Sequence, residues 1–360
     1  MARQWIVSAL ILGSILFVQA SLPPSRCVPE DLCSEEVLFE CTHDNRLSRA
    51  CTIINDFCQE IKEPEKKNEK FVQPMTTKKP GYGSLSKNPL DLCGRSNPNG
   101  LYENMEVCEG QAYPGEFPWT IAVFINGTFI GGGTIIAPGV VLTSAHKVRH
   151  VSEADIVVRA GEWDLSTTDE EFSYEESRVK KIARHEEFNY RTGANNLALL
   201  FLETPFEIKD HIRTICLPKE VKSLAGKRCM VAGWGRQTYT EAHNSDILKK
   251  IDLPMVSRDT CQRQLRKTVM GRSYSLAPSL ICAGGELDKD ACLGDGGSAL
   301  FCALEDGSDR YEQVGIVNWG IQCGKKDVPA TYTNVAMFKE WIDSKVAENS
   351  ISLLTDGTVH

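Results

Sequence analysis

From about Gly110 onward, apolar residues come in short runs, at 120–125, 135–143, 156–160, 197–202, 229–234 and 315–319, separated by Gly, Pro, Asn and Asp. Runs of this length bounded by turn residues predict short β-strands, and many of them in succession predict an all-β barrel or sandwich. Near the end, residues 335–342 switch to apolar positions at helical spacing, which predicts a helix packed on that scaffold. The polar chain beyond Trp341 is expected to fray, with residues 349–360 as a tail. No internal repeat is evident.

The N-terminal third follows another pattern. Arg3, an apolar run over residues 5–18 and the small-residue signal Val18-Gln19-Ala20 predict a signal peptide over residues 1–20. A membrane anchor needs about 20 apolar residues, so no membrane partner is expected and the mature chain is expected to be secreted. Residues 21–58 hold Cys27, Cys33, Cys41, Cys51 and Cys58 in a segment too short to bury a core, which predicts a disulfide-stapled module. Residues 59–107 are rich in Lys, Glu, Pro, Gly and Ser and read as a linker. The β-rich domain then spans residues 108–348.

Composition narrows the chemistry. Fourteen cysteines in an exported chain point to disulfides rather than metal ligands, so no metal or cofactor is expected. A net charge of −8 removes the basic face that nucleic acid requires. Asn126-Gly127-Thr128 is an N-glycosylation acceptor sequence, and its Asn-Gly pair between apolar runs predicts a hairpin tip.

Three separated segments carry the functional signal. They are Leu142-Thr143-Ser144-Ala145-His146, Asn195-Asn196-Leu197-Ala198-Leu199-Leu200, and Asp290-Ala291-Cys292-Leu293-Gly294-Asp295-Gly296-Gly297-Ser298-Ala299-Leu300. In this order they resemble the His, Asp and Ser blocks of trypsin-like serine proteases. Pro114-Gly115-Glu116-Phe117-Pro118-Trp119, Gly233-Trp234-Gly235 and Val317-Asn318-Trp319-Gly320 add to the resemblance. It implies a double β-barrel with a C-terminal helix. In that family a serine hydroxyl attacks a carbonyl, a histidine takes the proton, and an aspartate fixes the histidine tautomer. By the resemblance His146 keeps the base position, Asn196 stands at the aspartate position and Gly296 at the nucleophile position. No functional catalytic set is therefore expected. The segment Met105-Glu106-Val107-Cys108-Glu109-Gly110 also lacks the activation cleavage pattern, so an activating ion pair on Asp295 is not expected.

The resemblance further implies a remnant specificity pocket. Asp290 would supply a carboxylate for a basic side chain, Gly320 an open wall, and Ala330 a methyl that narrows the slot. Implied disulfides are Cys93–Cys216, Cys229–Cys302, Cys261–Cys282 and Cys292–Cys323. The bridge usually found beside the histidine is missing at both ends, where Gly131 and Lys147 stand. Six cysteines, the module's five and Cys108, leave 15 pairings open. The N-terminal module loosely resembles a clip domain, and the whole chain resembles the clip-domain serine protease homologues of insects. That implies a non-catalytic binding cofactor in an extracellular cascade of immunity, melanisation or development. Its partner would be an active serine protease or its zymogen substrate. The competing expectation is a trypsin-like endopeptidase with residual activity, using Ser298 as nucleophile.

Overall fold

The computed structural model describes residues 93–102, 105–306 and 310–349. The expected signal peptide, the cysteine-rich module, most of the linker and the residues from 350 onward lie outside these. The chain divides into two units, one of residues 1–76 with 104–109, the other of residues 77–103 with 110–360. The fold described below belongs to the second.

Twelve strands among the described residues form two closed antiparallel barrels. The first contains β1 (Thr120–Ile125), β2 (Thr128–Ala137), β3 (Val140–Thr143), β4 (Ile156–Ala160), β5 (Glu175–Arg184) and β6 (Ala198–Leu202). The second contains β7 (Arg228–Gly233), β8 (Lys249–Val256), β9 (Leu280–Gly284), β10 (Ala299–Ala303), β11 (Tyr311–Trp319) and β12 (Pro329–Asn334). Around the first ring the order is β1-β2-β3-β6-β5-β4, and around the second β7-β8-β9-β12-β11-β10. One topology is therefore used twice, although the sequence shows no repeat. Closure removes free sheet edges, which would otherwise invite pairing with other chains. This is the trypsin-like double β-barrel.

Alternation explains why these segments close on themselves. In β4, Ile156, Val158 and Ala160 are buried while Val157 and Arg159 are partly exposed, the period-2 pattern of a strand with one face inward. The inward residues of the first barrel, such as Ile121, Ile135, Val158 and Leu200, form one core. Val231, Leu253, Leu300 and Tyr332 belong to the core of the second. A seam of rings joins the two: Trp119 lies 5.3 Å from Phe301 and 5.8 Å from Tyr311, and Phe117 lies 5.0 Å from Phe301. Such pairs contribute about 0.5–1.5 kcal/mol each beyond the area they bury, so the seam fixes the cleft in which the site lies.

Some elements differ from the pattern-based expectation. The apolar run at 135–143 is not one strand but the end of β2 and all of β3, broken by a turn at Pro138-Gly139. Near the C-terminus, Val335–Phe338 is a 3-10 turn and the α-helix α2 runs over Lys339–Glu348 (α1 is Arg258–Leu265). Phe338, at φ −110° and ψ 11°, breaks the expected helix. The chain beyond Trp341 does not fray at once. Ile342 and Val346 are buried, Trp341 Nε1 donates to Glu186 at 2.8 Å and Lys345 pairs with Glu186 at 3.0 Å.

Candidate functional site

The site is built where loops of the first barrel meet loops of the second. His146 follows β3 and Asn196 precedes β6, so both come from first-barrel strands that pair with each other. Just before Asn196 the chain turns at Asn195, whose φ is 53°, a left-handed conformation that asparagine tolerates better than most residues. Gly296 lies in the turn leading into β10 of the second barrel. The Gly132 N–H of β2 donates to the Gly296 carbonyl at 3.1 Å and ties the two halves together. Gly297 must be glycine here. Its φ is 93°, and a Cβ would come within 2.4 Å of both the Gly132 carbonyl oxygen and Thr143 Oγ1.

Asn196 is anchored on every side. Its Oδ1 accepts the His146 backbone N–H at 2.9 Å, and its Nδ2 donates to Asn318 Oδ1 at 2.7 Å. Thr333 Oγ1 donates to the Asn196 carbonyl at 3.0 Å. Because a backbone N–H can only donate, the amide oxygen must face it, and the amide nitrogen must face the ring. Nδ2 then meets His146 Nδ1 at 2.8 Å as a donor, so Nδ1 is the bare acceptor and Nε2 carries the proton. Burial, with the neighbouring Lys147 cation adding to it, lowers the His146 pKa to about 4, which keeps the ring neutral at physiological pH.

Lys147 is the unforeseen member. A Cβ added to Gly296 would lie 2.7 Å from Lys147 Cε, 3.1 Å from His146 Nε2 and 3.3 Å from His146 Cε1. A Cβ on Gly131 would lie 3.0 Å from the same Cε and 2.4 Å from the Gly296 carbonyl oxygen. The lysine stem thus occupies the groove between the two glycines. Two facing positions that both lack cysteine were the signal in the sequence that something else fills the gap. The supporting roles of Asn318 and Thr333 had no such signal, since their contacts span 122 and 137 residues.

The remaining positions lie close behind. Asp295 is buried; its Oδ1 accepts the Gly235 N–H at 2.8 Å and its Oδ2 the Cys292 N–H at 2.9 Å. Asp290 accepts the Gly324 N–H at 3.3 Å on one oxygen, while its Oδ1 is buried without a partner. Burial pushes the Asp290 pKa up to about 7. The fully buried Tyr332 hydroxyl also lacks a partner, and burial, with the Asp290 charge adding to it, pushes its pKa up. A Cβ on Gly320 would stand 3.5 Å from Ala330 Cβ, so these two residues lie against each other. Ser298 is 1 % exposed, with its Oγ only 2.1 Å from where a Gly132 Cβ would be.

Disulfides join Cys93 to Cys216, Cys229 to Cys302, Cys261 to Cys282 and Cys292 to Cys323. The last holds the Gly296 turn to the loop that carries Gly324. Cys108 is also disulfide-bonded, and Cys27, Cys33, Cys41, Cys51 and Cys58 lie outside the described residues. Among the described residues no helix is long and apolar enough to cross a membrane.

The Trypsin family model matches residues 107–342. Phenoloxidase-activating factor 2 of Galleria mellonella is 41 % identical over 275 residues, 72 % of this chain and 90 % of that protein. Inactive CLIP domain-containing serine protease A28 of Anopheles gambiae is 35 % identical over 267 residues, 72 % of this chain and 69 % of that protein. A second mosquito relative, inactive CLIP domain-containing serine protease A8, is 36 % identical over 263 residues, 71 % of each chain. Matched by the family model over most of its length, the chain belongs to the trypsin family and is a clip-domain serine protease homologue.

Proposed function

We propose that the chain is a secreted, catalytically silent protease homologue that acts as a binding cofactor or regulator in an extracellular proteolytic cascade, of immunity, melanisation or development. One observation carries this reading. Lys147 Cε sits 2.7 Å from the place a Cβ on Gly296 would take, and by the resemblance Gly296, with no side chain to attack with, stands where the family places its nucleophile. Removing a nucleophilic serine costs about 10⁶ in turnover. The tautomer imposed by Asn196 disables the base as well, since a protonated Nε2 has no lone pair with which to take a proton.

Partners follow from relatives and surface. Several similar proteins carry the word inactive in their names, and one is named a phenoloxidase-activating factor. An active serine protease or its zymogen substrate fits as the partner of this chain. Asp290 offers a second handle: a guanidinium or ammonium entering the slot would satisfy its unpartnered oxygen. Secretion rests on the N-terminal apolar run and on the cysteine content.

The competing reading, residual hydrolysis by Ser298, meets a physical obstacle. Its hydroxyl is buried between Gly132 and Gly233, where a substrate carbonyl cannot reach it. Labelling of the purified protein with a serine-directed fluorophosphonate, beside an active trypsin-like control, tests the proposal. No label is expected; stoichiometric label on Ser298 would overturn it.

A further inference from the structure

Gly296, Gly131 and Lys147 act as one unit. The two glycines leave a groove, and the lysine stem fills it with Cε 2.7 Å and 3.0 Å from the two absent Cβ atoms. Its Nζ lies one covalent bond, about 1.5 Å, beyond that Cε. The ammonium therefore ends beside the seat that the reacting group would take in an active relative. Among the described residues no carboxylate lies within ion-pair distance of it. Asp295 acts on it only at longer range, its oxygens taken by two backbone N–H groups.

Two further donors share the seat. His146 Nε2, 3.1 Å from the absent Gly296 Cβ, carries its proton because Asn196 donates to Nδ1. The Gly296 N–H donates to no backbone acceptor among the described residues. Ammonium, imidazole N–H and amide N–H, with no acceptor of their own, make a site for an anion rather than for a neutral carbonyl. Burial has stripped hydration from the ammonium, pushing its pKa below the ordinary lysine value, and a bound carboxylate would replace what the water supplied.

Which anion arrives there is set by the slot below. When a basic side chain fills the Asp290 slot, the carbonyl carbon of that residue comes to rest at position 296. In an intact substrate the chain continues past this point, beside the Lys147 stem that lies against position 296. In a cleaved chain it ends there as a carboxylate. The geometry points to a product reader: Lys147, His146 and Gly296 bind the C-terminal carboxylate of a polypeptide ending in arginine or lysine, the new end that a trypsin-like protease creates. This rests on the reading of Asp290 as a seat for a basic side chain. A cofactor built this way would engage its partner protein only after that protein has been cut.

Fluorescence anisotropy on the full secreted chain tests it, with one labelled peptide made in three forms: ending in arginine as the free acid, in arginine amide, and in alanine as the free acid. The arginine acid is expected to bind at least about tenfold tighter than the amide, the scale of one charge-assisted hydrogen bond. Lys147→Met should bring the two within about twofold of each other while leaving the preference for arginine over alanine. Asp290→Asn should do the reverse. Acid and amide binding equally to the unaltered protein, with arginine still preferred, would overturn the carboxylate seat and leave the basic slot standing. A gap that persists in Lys147→Met would also overturn it. Equal binding of the arginine and alanine acids, or no binding of any form, would remove the slot and the inference with it.

Discussion

Asn196 Nδ2 lies 2.8 Å from His146 Nδ1 and faces it as a donor, the reverse of the polarity that a carboxylate would impose. On the proposed reading, giving the site hydrolytic chemistry therefore takes more than adding a hydroxyl at position 296. Gly296→Ser alone should fold, since the colliding Lys147 Cε is the far end of a flexible side chain, and should remain unreactive to fluorophosphonate. Adding Asn196→Asp corrects the tautomer, a change worth about 10⁴ in turnover in active members of the family, and adding Lys147→Ala clears the seat. Labelling is expected only in variants that combine all three. Rapid labelling of Gly296→Ser by itself would refute the tautomer argument.

The same ring should mark the acid limb of stability. A histidine held neutral by burial contributes stability that is fully present above its unfolded value, about 6.5, and is lost as the pH falls toward its folded value of about 4. The slope for one proton reaches about 1.4 kcal/mol per pH unit. His146→Gln should flatten this part of the profile between pH 6.5 and 4 relative to the unaltered protein, measured as the difference in denaturant midpoints. Parallel profiles would show that His146 is not held neutral.

Asp290 gives the opposite sign in binding. Its carboxyl, pushed up to about 7 by burial, is neutral below that pH and must release its proton before it can pair with a cation. Affinity for a small amidinium ligand should rise as the pH increases through 7 and level off above it, with a limiting slope of about tenfold per unit on the acid side. Calorimetric titration between pH 5.5 and 8.5 reads this directly. Asp290→Asn should weaken binding and abolish the slope; a slope retained in that variant would assign the proton elsewhere.

Sequence pattern reached some of these features and missed others for physical reasons. The runs that became β4, β6 and β7 stand out as short apolar stretches between turn residues, alternating in β4 and buried throughout in β6. The strand β5 is written Glu-Glu-Ser-Arg-Val-Lys-Lys-Ile-Ala-Arg, and only Ser177, Val179 and Ile182 are buried along it, too few to stand out from its charges. The short helix α1 depends on a Ser257 cap and carries little apolar signal. At the site, the positions of His146, Asn196 and Gly296 could be named because local blocks surround them. The missing bridge singled out Lys147 as a position but not its role, which comes from two glycines, 16 residues behind it and 149 ahead in the sequence, that leave space only once the barrels pack. The duplicated ring order was also invisible, since barrel closure constrains inward volume rather than residue identity.

The hairpin between β1 and β2 offers a test away from the cleft. Asn126 has φ 49° and Gly127 φ 78°, the left-handed pair of a two-residue turn suited to the twist of the flanking strands, and both residues are exposed. An exposed asparagine at such a tip, followed by Gly127-Thr128, is accessible to glycosylation if the chain is exported, as proposed above. Enzymatic removal of N-glycans should lower the mass of the purified protein, and the drop assigned to Asn126 should vanish in Thr128→Ala. Thr128 is the better residue to change because it is exposed and its replacement leaves the turn intact, within about 0.5 kcal/mol. Asn126→Gln would confound the test, since glutamine is less tolerant of a left-handed backbone and adds a strain of about 1 kcal/mol or more. An unchanged mass for the unaltered protein after deglycosylation would show the tip to be bare.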